Sequence, residues 1–464
     1  MLKRVIGSLV GDRLFYRRVL TLMIPIMIQN GITNLVNMVD NVMVGRIGTQ
    51  EMSGVAVTNQ LLFVFNLCIF GAVSGAGIFT AQFYGNGDDR GIRETFRFKL
   101  IATLLLALMG IGLFLWLDDT LIGVYLQGEG TPADIAATLG YAKDYLHIML
   151  IGLVPYALSQ CYSSTLRETD SAFLPMIAGA VAVGVNLSLN GVLIFGWLGC
   201  PALGVKGAAI ATVVSRFVEL GIVAGWTAYR RQKHRFVQGA FRSLRVPWPL
   251  ALKIIRKGFP LMLNETFWAA GLAMLSQCYS LRGLDVVGAN NIAQTFQNVF
   301  SVAFIAVGVS IGIVLGQQLG AGEEDQAMDS ARKLIAFAVV ISVGVGALYF
   351  GCAYFIPSFY NTTPAIRHLA TRLMQIAAVA MPLDAFANAA YFTLRSGGKA
   401  FLTFLFDSVF SWGVVVPVVY LLSHYTSVSI LVLFAFGHGL SLIKDIVGII
   451  LVKKGIWIRN IVNR

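Results

Sequence analysis

Polar and apolar residues in this chain are sorted into long blocks. Apolar runs of about 20 residues or more recur from near Leu20 to near Leu451, and a helix of that length crosses a ~30 Å hydrocarbon core at a rise of ~1.5 Å per residue. Twelve such runs predict twelve helices, at approximately 16–42, 52–82, 95–117, 138–162, 171–195, 203–228, 252–280, 287–317, 331–356, 366–392, 399–422 and 427–451. The fold class expected is an all-α polytopic membrane protein.

The polar positions inside these runs carry the candidate chemistry. In the first run, which contains VNMVDNVMVGRIG over 36–48, Asn30, Thr33 or Asn34, Asn37 and Asp40 or Asn41 recur every three to four residues and form one stripe on an α-helix. Unpaired polar groups facing lipid cost several kcal/mol, so the stripe lines a cavity or meets another helix. An aspartate at bilayer depth costs at least roughly 2.5–3.5 kcal/mol on insertion scales, which singles out Asp40. The eighth run repeats the pattern with Asn291, Gln294, Asn298 and Ser301, and the seventh carries Asn264, Glu265, Ser276 and Gln277. Three more carboxylates, Glu265, Asp384 and Asp407, lie within apolar runs. Each is either a protonated or hydrogen-bonded packing group, or a group that burial and a neighbouring cation tune to exchange a proton or Na⁺ for a cationic substrate. The residues expected to face a substrate cleft are Gln29, Asn30, Asn34, Asn37, Asn264, Gln294, Asn298 and Asp407.

The two halves of the chain match. GAGIFTAQFYGNGDD (75–89) aligns with SIGIVLGQQLGAGEE (310–324), so that Gln82, Gly85 and Gly87 fall on Gln317, Gly320 and Gly322 at an offset of 235, as Pro25 falls on Pro260. TLRETDSAFL (165–174) aligns with TLRSGGKAFL (393–402), and Arg216 with Lys444, at an offset of 228. Six runs per half, an even number, give both halves the same orientation, as in parallel repeats. The expected domains are an N-terminal lobe over 1–228, a basic linker over 229–251 and a C-terminal lobe over 252–464. Two six-helix lobes enclosing a central cleft are an architecture of alternating-access transport; a duplicated scaffold without transport, as in a sensor, is the alternative.

Composition agrees, with 57% hydrophobic and 12% charged residues among 464, where soluble proteins are about a quarter charged. The net charge of +12 is a topology signal rather than a nucleic-acid surface. Lys and Arg crowd both termini and one set of loops, including Arg90, Arg93, Arg97, Lys99, Arg167, Arg230, Arg231, Arg242 and Arg245, whereas the opposite loops hold few and are rich in Asp118, Asp119, Asp134 and Asp144. Both termini are therefore expected in the cytoplasm. Within the helices, Arg216 and Glu219 are expected to pair, and Lys444 and Asp445 to be structural anchors. The five cysteines have no metal or disulfide spacing and read as packing residues. The N-terminus lacks a cleavable leader pattern, and its Lys/Arg spacing suits a short surface helix. RSGGKAF does not complete a phosphate loop, because Thr393 stands five before Gly398. No enzyme signature and no cofactor are indicated, and transport would have to run on an ion gradient. His438 reads as a packed membrane histidine.

These residues resemble the bacterial branch of the MATE (multidrug and toxic compound extrusion) family. The likeness is carried by IPIMIQNGITNLVNMVDNVMVGRIG, by GAGIFTAQFYGNG and its repeat GIVLGQQLGAG, and by the paired TLRETDSAF and TLRSGGKAF. It implies a cation-coupled antiporter of the bacterial inner membrane that expels small amphipathic, mainly cationic drugs through a cleft between its lobes. It also implies coupling roles for Asp40 in the VDxxMVG motif, for Asp384, eleven residues before Arg395, and for Glu265, near the family's Na⁺-linked glutamate of span seven. In some members an Asn and an Asp one turn apart in span five complete an ion site; here NLSLN supplies Asn186 and Asn190, so that Asp40, Asn186, Asn190 and Thr212 can ligate Na⁺ through oxygens. The partners expected are small-molecule substrates and membrane lipid, with no nucleic acid and a monomeric protein. A lipid-linked-precursor flippase is the rival reading; it would need several cations inside the cleft.

Overall fold

The computed structural model describes residues 9–126, 131–360 and 362–463, without the side chains of residues 37, 38, 41, 42, 198 and 284. The twelve predicted helices are all found, as α1 (Arg13–Gly45), α2 (Thr49–Gly85), α3 (Asp89–Tyr125), α4 (Pro132–Ile151 with Leu153–Glu168), α5 (Phe173–Phe195), α6 (Val205–Tyr229), α7 (Trp248–Ser280), α8 (Leu284–Gly320), α9 (Glu324–Cys352), α10 (Pro364–Ser396), α11 (Ala400–Tyr425) and α12 (Ile430–Lys453). No strand occurs among the described residues. Ten of these helices are long and apolar enough to cross a bilayer, and α4 makes an eleventh if its two bent parts form one span. The remaining helix, α7, is 33 residues long with Asn264 and Glu265 in mid-course. The chain is an integral membrane protein.

Local chemistry explains the breaks. α4 bends by 48° between Ile151 and Leu153, where Gly152 is followed by Pro155, whose missing N–H leaves the Ile151 carbonyl without its helical donor. α11 contains two π-helical segments, Leu405–Val409 and Ser411–Val415. Pro417 cannot donate to Gly413, which removes one rung of the α-ladder beside the second segment. Asp88 caps α3 by accepting from Gly91 N at 2.9 Å, and the Thr131–Asp134 pair forms a capping box on α4. In the repeated turns after α2 and α8, Gly87 and Gly322 take φ of +68° and +79°, a region open to glycine without steric cost.

The chain forms two compact units. One comprises Ile28–Thr80 and Asp88–Gly258. Its core joins Phe65 and Ile69 of α2 with Phe114 of α3, Leu146 and Leu153 of α4, and Ala209 and Val213 of α6. The other comprises the chain up to Met27, Ala81–Gly87 and everything from Phe259 onward. Its core joins Tyr279 of α7, Ile292 of α8, Tyr349 of α9, Met374 of α10, Val419 of α11 and Phe434 of α12. In this second unit the ends of α2 and α8 meet reciprocally: a Cβ on Gly85 would fall on the Gln317 carbonyl oxygen, and a Cβ on Gly320 on the Gln82 carbonyl oxygen. Gln82 also donates to the carbonyls of Ser396 at 3.0 Å and Arg459 at 3.1 Å, and Gln317 accepts from Arg18 at 2.7 Å.

Three expectations need correction here. Lys99, counted with the loop charges, is fully buried in α3 and pairs with Glu168 at 2.5 Å, with Ser164 and Thr165 as further partners. Arg216 does not close an ion pair with Glu219; it lies over the Tyr156 ring, 5.0 Å from its centroid. Three residues apart on α6, Arg216 and Glu219 interact electrostatically without direct ion-pair contact. Of the five cysteines, all free, Cys161 and Cys278 are buried but Cys200 is exposed in the loop after α5, so packing does not explain it. The expected N-terminal surface helix falls mostly on residues 1–8, outside the described residues.

Candidate functional site

In the first unit, three helices bring four candidate residues into one chain of hydrogen bonds. Asn190 of α5 donates to Asp40 Oδ1 of α1 at 2.5 Å, and the same amide donates to Asn186 Oδ1 at 3.1 Å. Asn186 in turn donates to Thr212 Oγ1 of α6 at 3.3 Å, and Thr212 donates to the Ala208 carbonyl at 3.1 Å. The four-residue step from Asn186 to Asn190 puts both amides on one face of α5, which is why one side chain can bridge to the next. Asn186 and Asn190 are buried, while Asp40 and Thr212 are half-buried. No Lys, Arg or His forms an ion pair with Asp40 among the described residues, and the buried Asn190 Oδ1 has no hydrogen-bond partner. One carboxylate with amide and hydroxyl oxygens is a donor set suited to a hard monovalent cation or a proton. Tyr145 of α4, buried beside Thr212 and Asn59, borders the cluster; a tyrosine in an apolar run gave no sequence signal for this.

The second unit gathers the other three carboxylates, with different partners. Asn264 of α7 donates to Asp407 Oδ2 at 2.9 Å and accepts from Ser408 at 2.7 Å. The other Asp407 oxygen is held by Lys444 Nζ of α12, each side chain being 17% exposed. Asp407 and Ser408 lie in the first π-helical segment of α11, a widened turn of a kind frequent at functional sites. Glu265 accepts from Tyr391 of α10 at 3.2 Å. Asp384 Oδ2 stands 3.9 Å from His438 Nδ1, an electrostatic contact too long for a hydrogen bond. Arg395 closes the end of α10 over the Phe392 ring, 5.3 Å from its centroid.

Lys444 is therefore not merely an anchor at the end of α12: it is the ion-pair partner of Asp407. His438 is packed against Phe434, as read from the sequence, and also faces Asp384. Gln29 accepts from Arg167 at 3.2 Å. Asn30 and Asn34 are half-buried on α1, and Asn298 is exposed on α8 with Gln294 half-buried one turn earlier. None of these four joins either hydrogen-bonded cluster among the described residues. The side chain of Asn37 lies outside the described residues.

The repeat accounts for the contrast between the units. At the offset of 235, Gln29 and Asn30 correspond to Asn264 and Glu265. At the offset of 228, Tyr156, Arg167, Gly179 and Arg216 correspond to Asp384, Arg395, Asp407 and Lys444. The contacts correspond too. Gln29 packs on Gly179, whose Cβ would lie 3.5 Å from Gln29 Cγ, where the other unit has Asn264 bound to Asp407. Arg216 lies over Tyr156, where the other unit has Lys444 on the helix facing Asp384. At these positions one duplicated scaffold thus carries arginines and no carboxylate in one unit, and three carboxylates with basic partners in the other.

Comparison with known proteins gives a consistent picture. The MatE family profile matches twice, over residues 25–192 and 260–421. The chain is 24% identical over 441 residues to a protein named probable multidrug resistance protein NorM of Thermotoga maritima, covering 93% of this chain and 89% of that one. It is 26% identical over 413 residues to the multidrug resistance protein PmpM of Pseudomonas aeruginosa, covering 87% and 83%. Among solved structures, an outward-facing multidrug resistance MATE family transporter superposes with a TM-score of 0.85 at 20% identity, over 97% of this chain and 98% of that one.

Proposed function

We propose that this chain, which belongs to the MatE family, is a secondary active multidrug efflux transporter of the bacterial inner membrane, with both termini in the cytoplasm and no enzymatic activity. It exchanges small amphipathic, mainly cationic compounds for Na⁺ or H⁺ by alternating access. The observation that carries this reading is the state of Asp40: a membrane-helix carboxylate held by an amide at 2.5 Å and balanced by no protein cation among the described residues. Leaving a carboxylate unbalanced at membrane depth is costly, and a bound external cation removes that cost.

In this scheme Asn190 and Asn186 orient the Asp40 carboxylate, and Thr212 fixes Asn186. The coupling ion binds Asp40 from outside, and its charge weakens the hold on a cationic drug, which leaves. Thermodynamic reciprocity then requires the drug to weaken ion binding by the same factor, typically ~5–150-fold. In the second unit Asp407 already has Lys444, and Asp384 has His438 nearby, so these acids shape the electrostatics of drug binding more than they receive the ion. The same pairing engages Lys444 with Asp407, so that cation is not free for the pyrophosphate a lipid-linked-precursor flippase would have to hold. The test is efflux of a fluorescent cation from proteoliposomes under an imposed Na⁺ gradient and, separately, an imposed pH gradient. One gradient should drive accumulation against the concentration difference; movement that ignores both would sink the proposal.

A further inference from the structure

Away from the membrane carboxylates, the first three turns of α3 and the segment leading into α7 border an open cavity of about 470 Å³ lined by Arg90, Arg93, Arg97 and Arg245, together with Glu94 and the Val246–Pro247 turn. Its charge is unevenly spent. Glu94 is paired with Arg90 at 2.9 Å. Arg97 donates to backbone carbonyls of the linker, Ala240 at 2.9 Å and Gly239 at 2.7 Å, which tethers the segment without neutralising the guanidinium. Arg93 Nε is sealed from solvent and has no hydrogen-bond partner among the described residues. The cavity therefore holds more guanidinium groups than carboxylates, and planar guanidinium forks match phosphate oxygens.

The surroundings indicate what kind of phosphate. The linker is folded onto α3 by Phe236, whose ring centroid lies 5.0 Å from that of Phe96, yet it leaves Phe241, Leu244 and Trp248 exposed at 60%, 56% and 71%. Exposed aromatic and aliphatic side chains beside a cluster of arginines, at the mouth of a membrane-spanning helix, are the pattern of an interfacial lipid contact. We propose that this cavity binds the phosphodiester headgroup of an anionic phospholipid, with the acyl chains lying along Phe241, Leu244 and Trp248. Such a lipid would clamp the linker between the halves of the chain to the start of α3.

The test uses the full-length protein in detergent, exchanged against phosphatidylglycerol or phosphatidylcholine, with retained lipids counted by native mass spectrometry. Phosphatidylglycerol should be retained over phosphatidylcholine, and Arg93→Gln and Arg245→Gln should each lower that retention roughly fivefold, as expected for loss of one basic residue near an anionic headgroup. Arg93→Lys should retain most of it, and Val246→Asp, which adds a negative charge without removing an arginine, should abolish the preference. Equal retention of the two lipids, or unchanged retention in the Arg93→Gln/Arg245→Gln variant with a wild-type unfolding midpoint, would overturn the assignment. Displacement of phosphatidylglycerol by millimolar inorganic phosphate would overturn it as well, by showing a site for a small soluble anion.

Discussion

Replacing Asp40 with asparagine separates charge from shape. The introduced amide keeps an Oδ1 able to accept from Asn190, so the contact that measures 2.5 Å with the carboxylate persists as a neutral hydrogen bond. The charge-assisted bond is worth about 1.5–3 kcal/mol and the neutral one about 0.5–1.5 kcal/mol, so the fold loses only about 1 kcal/mol. The effect on a bound monovalent cation is larger. At about 4 Å and an effective dielectric constant near 20, a carboxylate contributes about 4 kcal/mol to holding a unit charge, or roughly a thousandfold in affinity at 1.4 kcal/mol per tenfold. Asn190→Ala keeps the charge and removes only the amide, so its effect on ion affinity is bounded by about 1.5–3 kcal/mol. The assay is equilibrium binding of a fluorescent cation to the purified protein while the productive ion is titrated. In the wild type the drug affinity should shift by roughly 5–150-fold between zero and saturating ion, in Asn190→Ala the shift should survive at a displaced ion concentration, and in Asp40→Asn it should vanish. A correctly inserted Asp40→Asn protein whose drug affinity still responds to the ion would refute the assignment of Asp40.

Lys444→Met strands the Asp407 charge with one amide for company and should cost about 3 kcal/mol, the low end for breaking a buried pair because both side chains are 17% exposed; adding Asp407→Asn should recover most of the unfolding midpoint. Glu168→Gln leaves Lys99, fully buried, without its carboxylate, and should cost about 3–5 kcal/mol; size-exclusion profiles should show lost monodispersity, and the ion preference of the surviving protein should be unchanged. Gly320→Ala sets a methyl group on the Gln82 carbonyl oxygen and should cost about 1–3 kcal/mol or more. Gly322→Ala meets no atom but keeps a φ of +79°, so its thermal midpoint should fall by an amount equivalent to only about 1–2 kcal/mol.

The helices are legible because a span leaves a mark on every residue in it: all twelve apolar runs are helices, and the polar stripe of the first run ends in Asp40. The Asp40, Asn186, Asn190 and Thr212 set is legible only through family resemblance, since residues 40, 186 and 212 are joined by packing and not by spacing. The partners of the second unit escape for the same reason. Asp407 meets Lys444 across 37 positions, through a π-helical turn that ordinary helical periodicity does not foresee, so the sequence groups Lys444 with its neighbour Asp445. Lys99 is misplaced because loop-charge counting treats any lysine near the end of an apolar run as wet, whereas a carboxylate one helix away, Glu168, lets it be buried. The repeat holds the remaining information. Since Gly179 and Asp407 share a repeat position, and Arg216 and Lys444 another, a carboxylate and the lysine that balances it occupy positions where the other unit has a glycine and an arginine held over a tyrosine. A carboxylate that appears in one repeat and not in its counterpart needs a compensating neighbour, and for Asp407 that neighbour stands at a repeat position that is basic in both halves. Applied to Asp40, whose counterpart at the offset of 235 is Leu275, the rule finds no cation among its described contacts. A compensating charge from solution is what the proposed ion-coupled exchange would supply.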